Sequence, residues 1–111
     1  MAFRILGQLR PADTNAASLF SPTRGFEYRI DVIYVCEQAG ATPTYRIFFD
    51  DDGATYDETT AIAYDVALTA NQSLRVEGPF YMNNAAGNLG VRSSANNQIT
   101  FTAFGEERKE A

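Results

Sequence analysis

An all-β fold, two antiparallel sheets packed as a sandwich of jelly-roll type, is what three observations predict. Apolar residues recur at every second position through most of the chain. Breaks rich in Gly, Pro and Asn separate these runs at short intervals. No segment keeps the three-and-four spacing of an amphipathic helix for three turns, although "NAASLF" and "ETTAIAY" each allow one short turn. Seven to eight short strands in 111 residues favour two facing sheets over a single sheet with an uncovered face.

The elements follow in order. "AFRILGQLRP", within residues 1–11, reads as an N-terminal arm or a first strand. Its Phe3, Ile5, Leu6 and Leu9 are candidate protein-contact residues that could add a strand to a neighbour's open sheet edge, or form the first strand of this sandwich. From Phe26 to Cys36, the residues Phe26, Tyr28, Ile30, Val32, Tyr34 and Cys36 share one face, while Glu27, Arg29 and Asp31 face the other way. Ile33 and Val35 then make the second face apolar too, which predicts cover on both sides or a subunit contact, so both join the candidate contact set. Cys36 is expected to be a small buried hydrophobe. After "EQAGATPT", Tyr45, Ile47 and Phe49 alternate in a strand expected to pair antiparallel with the one before.

The next run places Ile62, Tyr64, Val66 and Leu68 in step of two. "QSLRVEGPFYM" points Leu74, Val76 and Phe80 inward and Arg75 and Glu77 outward, with a bend or bulge at Gly78-Pro79. Leu89 and Val91 follow, and "QITFTAF" sets Ile99, Phe101 and Ala103 against Thr100 and Thr102. Residues 1–105 read as one domain and 106–111 as a charged, solvated tail.

Composition excludes several function classes. The formal charge is −5 and the isoelectric point about 4.5, with the basic residues scattered, which argues against nucleic acid and anionic membrane surfaces as partners. No apolar run approaches the length of about 18 residues that a membrane span needs. No signal-peptide core precedes Pro11, and the single cysteine allows no intrachain disulfide, which fits folding in a reducing cytoplasm. The chain has no histidine, so Ser-His-Asp and Cys-His catalysis are ruled out, and ordinary zinc sites with them. No enzyme activity, cofactor or metal is expected.

The acid-rich loop "DDDGATYDETT" raises the question of a calcium site. With Gly53 at the central position of an EF-hand loop, Phe48 and Thr59 fall where carboxylates are required, so the pattern fails. A looser site would use Asp50, Asp52 and Asp57. The preferred reading is a turn in which Asp side chains bond local amides and Gly53 takes a positive φ. Asp50, Asp57, Glu58 and Asp65 could in principle supply a glycosidase carboxylate pair, but loop acids more often serve solvation. Asn71-Gln72-Ser73 matches a glycosylation acceptor by chance. Tyr56 and Tyr81, near loops, are candidate glycan-contact residues, which makes a carbohydrate-binding module for host-surface attachment the alternative function.

Three stretches, "RILGQLRPADTNAASLFSP", "YRIFFDDDGATYDETTAIAYDVAL" and "GNLGVRSSANNQITFTAFGEE", together resemble a family of small tailed-bacteriophage virion structural proteins. The resemblance implies a two-sheet β accessory subunit of capsid or tail without catalytic residues; capsid decoration or cement is preferred over a tail or neck place because small β domains suit repeated attachment to a lattice. It implies the major capsid or tail protein of the same virion as partner, a homo-oligomer (trimer or higher), and assembly into the virion in the bacterial host cytoplasm.

Overall fold

Alternating β-branched and aromatic residues build eight strands in the computed structural model, which describes residues 2–110. They are β1 (Ala2–Leu9), β2 (Ala17–Phe20), β3 (Phe26–Glu37), β4 (Thr44–Asp50), β5 (Ala61–Ala67), β6 (Ser73–Met82), β7 (Asn88–Ser93) and β8 (Ile99–Lys109). The first sheet has the order β1-β8-β3-β6 and the second β2-β7-β4-β5, with every pairing antiparallel. Among the described residues only β4 and β5 are consecutive strands that pair; the other connections cross between sheets. This is the jelly-roll arrangement of two interlocked Greek keys, so the predicted fold class holds.

One expected pairing does not form. β3 and β4 lie in different sheets, β3 between β8 and β6, and β4 between β7 and β5. Period two identifies a strand but carries no information about its neighbour.

The apolar frame of β3 also changes partway. Tyr28 and Ile30 face inward, but the register slips between Ile30 and Val32 against both β6 and β8. Beyond this bulge the faces exchange, as one added residue requires. Ile33 and Val35 are fully buried, whereas Val32, Tyr34 and Cys36 are half-buried on the outer face. The expectation of Cys36 as a core residue is therefore corrected. Ile33 and Val35 belong to this chain's own core and cannot meet a partner.

β5 shows the same effect. Ile62 and Tyr64 are exposed while Ala63 and Val66 pack inward, because register shifts against β4 and a positive φ of 52° at Asp65 break the expected alternation. β6 follows its prediction, with a register shift opposite its Gly78-Pro79 step. The expected solvated tail is corrected as well: β8 continues to Lys109, paired with β3 through Phe26, and Glu106 is buried.

The core between the sheets gathers Ile30, Ile33, Val35, Ile47, Leu89, Val91, Ile99 and Phe101. Ring contacts bridge the layers, Tyr45 to Phe101 at 6.2 Å and Phe49 to Phe80 at 6.0 Å between centroids. β1 closes one side of the first sheet against β8 and contributes Leu6 to this core, with Leu9 packed against it.

Candidate functional site

The cross-strand register lines up the outer face of the first sheet in rows. One row runs Tyr81, Arg29, Glu106, Phe3 across β6, β3, β8 and β1, and the next runs Glu77, Val32, Phe104, Ile5. Phe3 is 74% exposed and Ile5 48%. Beside them Phe104 meets the edge of Tyr34, with centroids 5.5 Å apart. Phe3, Ile5, Val32, Tyr34 and Phe104 thus form one continuous apolar area on the β1 side of the sheet. Of the contact residues expected from sequence, Phe3 and Ile5 lie in it, while Leu6, Ile33 and Val35 are buried.

Toward β6 the same face becomes charged and concave. A groove of about 280 Å³ lies between Glu27, Arg29, Tyr81, Asn83, Glu106 and Arg108, with Tyr28 and Met82 also lining it. Arg29 is held from two sides, its Nε donating to Asp31 Oδ1 at 2.7 Å and its Nη2 lying 3.1 Å from Glu106 Oε2. The Asp31 bond, and after it the Asp31 and Glu106 charges, raises the guanidinium pKa further. Arg108 pairs with Glu27, and the Tyr28 hydroxyl donates to Glu107 Oε2 at 2.7 Å. Tyr81 is 66% exposed and stands directly opposite Arg29. Sequence reading found Tyr81 but missed its companions. Arg29 was visible as the polar side of an alternating strand, while Glu106 and Arg108 were hidden by their place in a charged terminal run.

The acid-rich loop lies elsewhere, over the outer face of the second sheet. Asp50 accepts from the Asp52 amide at 3.2 Å and the Thr55 amide at 2.9 Å, and the Thr55 bond leads in lowering its pKa. Asp57 accepts from the Thr59 hydroxyl and amide, which lower its pKa in the same way. These carboxylates organise turns. Among the described residues no group of three or more His, Cys, Asp or Glu side chains could hold a metal ion. Gly53 does not take the expected positive φ, which belongs instead to Gly25 and Gly40; a Cβ on Gly53 would stand 3.0 Å from Asp50 Oδ2.

Tyr56 anchors this loop. Its hydroxyl donates to Asn88 Oδ1 at 2.7 Å, and its ring covers Phe48 with centroids 5.8 Å apart. The ring lies so close over Gly90 that a Cβ there would come within 2.3 Å of it. Burial raises its phenol pKa. Tyr56 is therefore a packing residue of the loop, and the expectation of a glycan platform there is corrected.

Two further charged groups are structural. Asp65 forms a two-pronged pair with Arg46 at 2.7 and 3.0 Å, and Arg46 stacks 3.9 Å over the Tyr64 ring; the Arg46 bond lowers the Asp65 pKa. Glu37, at the end of β3, is buried and accepts from the amides of Asn71, Gly40, Ala39 and Ala41 at 2.8, 3.0, 3.1 and 3.3 Å.

No protein-family model, curated protein or solved structure matches this chain.

Proposed function

We propose that this chain is a non-enzymatic bacteriophage virion structural protein, an accessory subunit held on the particle by protein-protein contacts and set as decoration on the capsid lattice in preference to the tail or neck. The observation that carries the reading is the apolar area around Phe3 and Ile5. Contiguous exposed apolar surface on a small soluble domain marks a contact site. Its partner is the major capsid or tail protein of the same virion, met during assembly in the bacterial cytoplasm. The sequence resemblance supports this setting. Jelly rolls serve in viral capsids, lectins and cupins alike, so the fold is compatible with the reading without selecting it.

Mass spectrometry of purified particles tests the proposal. The chain is expected in stoichiometric amount, and a particle reconstruction is expected to place the β1 side of the first sheet against the lattice. Changing Phe3→Lys and Ile5→Lys together is expected to cut particle occupancy at least tenfold, while melting temperature stays near that of the parent because both side chains are exposed. A chain abundant in infected-cell lysate but absent from particles would overturn the assignment.

A further inference from the structure

The charge-lined groove beside Tyr81 adjoins the apolar area on its β6 side. We infer that it is a binding site for a neutral carbohydrate, one or two sugar rings of an oligosaccharide. Three features converge on that ligand class.

The first is size and shape. At about 280 Å³ the groove falls just below the range of roughly 300–1,000 Å³ typical of small-molecule sites, which suits a ring-sized group better than a nucleotide cofactor.

The second is the aromatic wall. Tyr81 is at the edge strand β6 with most of its side chain in solvent. A ring that is amphipathic and rigid offers a flat apolar face to the C–H side of a pyranose at little conformational cost. Its cross-strand neighbour Arg29 fixes the other side of the groove.

Charge decides the rest. The lining carboxylates Glu27 and Glu106 balance the guanidinium groups of Arg29 and Arg108, and each is already in an ion pair. An ionic ligand would give up its hydration to a lining whose charges already cancel, with no net attraction in return. A hydroxyl-bearing neutral ligand still finds partners, because a carboxylate accepts at about four lone-pair sites and a guanidinium carries five N–H donors, more than these pairs use. Asn83, exposed just past the end of β6, adds an amide that both donates and accepts. Arg29 is locked by Asp31 and Glu106 before any ligand arrives, and such preorganisation lowers the entropic cost of binding.

The test is an amide-resolved NMR titration of the intact protein. The probes are neutral oligomers of glucose, galactose, mannose and N-acetylglucosamine, alongside sialylated and sulfated oligosaccharides. We expect saturable shifts confined to Arg29, Tyr81, Asn83 and Glu106 with at least one neutral oligomer, at a dissociation constant of about 1 mM or tighter. Tyr81→Ala is expected to weaken that binding at least tenfold with the melting temperature unchanged, and Tyr81→Phe to retain most of it. No shift with any neutral oligomer, shifts centred elsewhere, binding of the acidic sugars alone, or binding indifferent to Tyr81→Ala would each overturn the assignment. None of these readouts involves the particle, so this inference and the virion reading fail separately.

Discussion

Glu37 is an acid held charged inside the protein by backbone amides alone. Two of its donors, Gly40 and Asn71, sit at φ of 70° and 60°, a left-handed conformation that Gly and Asn tolerate best. They come from the β3–β4 and β5–β6 connections, so a single carboxylate ties two loops to the end of one strand. The Asn71 amide leads in lowering the Glu37 pKa, the other amides add to it, and burial opposes. A folded-state pKa below the unfolded value means that the stabilisation is complete above the unfolded value, about 4.3, and is lost as pH falls through the folded one. Glu37→Gln presents an NH₂ group to N–H donors, so its melting temperature should be clearly lower than the parent's at pH 7. The gap should close as the medium is acidified below about pH 4. A gap constant from pH 7 to pH 3 would mean that Gln is merely a poor fit and that charge plays no part. Tyr56 supports a second residue-scale prediction: Tyr56→Ala uncovers Phe48 and should cost about 1–3 kcal/mol by denaturant unfolding. Tyr56→Phe, which keeps the ring but loses the hydroxyl and its bond to Asn88, should cost about 0.5–1.5 kcal/mol. Neither role could be read from sequence, because Glu37 stood in a polar break and Tyr56 in an acid-rich loop, and long-range partners define both.

At the scale of the element, alternation located the strands and missed the bulges. In β3 both frames were apolar after Asp31, so the sequence was consistent with either Val32, Tyr34 and Cys36 or Ile33 and Val35 in the core. The bulge at Ile30/Val32 decides in favour of the second set. In β5 the small Ala63 packs inward while the larger Ile62 and Tyr64 stay outside, the reverse of what side-chain size suggests. Asp65 explains it, since its left-handed backbone turns the carboxylate to Arg46. By contrast the first half of β8 reads correctly, because Ile99, Phe101 and Ala103 alternate with threonines that turn to the other face. The bulge assignment in β3 is open to a direct comparison. Ile33→Ala should cost about 2–5 kcal/mol as a buried large-to-small change, and Val32→Ala less than about 1 kcal/mol as a half-exposed one. Equal costs, or a larger one at Val32, would place the register shift elsewhere.

For the whole molecule, the topology fixes what β1 is. The sequence left "AFRILGQL" open between an arm for a neighbour and a strand of its own sandwich, since an edge strand and a donated strand share the same residue pattern. Here β1 is the edge of the first sheet and pairs with β8 from Ala2↔Glu107 to Leu9↔Phe101. One face of the strand therefore belongs to the fold, through Leu6 and Leu9, and the other carries Phe3 and Ile5 outward. The two roles can be pulled apart experimentally. Deleting residues 2–9 removes a paired edge, bares the backbone of β8, and opens the core at Leu6. Cooperative thermal unfolding should be lost or the melting temperature should fall sharply, with aggregation through the newly exposed strand. The Phe3→Lys and Ile5→Lys pair changes only the outward face and should leave the unfolding transition where it was. If the deletion instead left a monomer with its transition intact, β1 would be an arm that only borrows β8 when no neighbour offers an edge. The apolar area around Phe3 and Ile5 would then have to be read as part of a strand exchange between subunits, since it could no longer be a face presented by a finished sandwich.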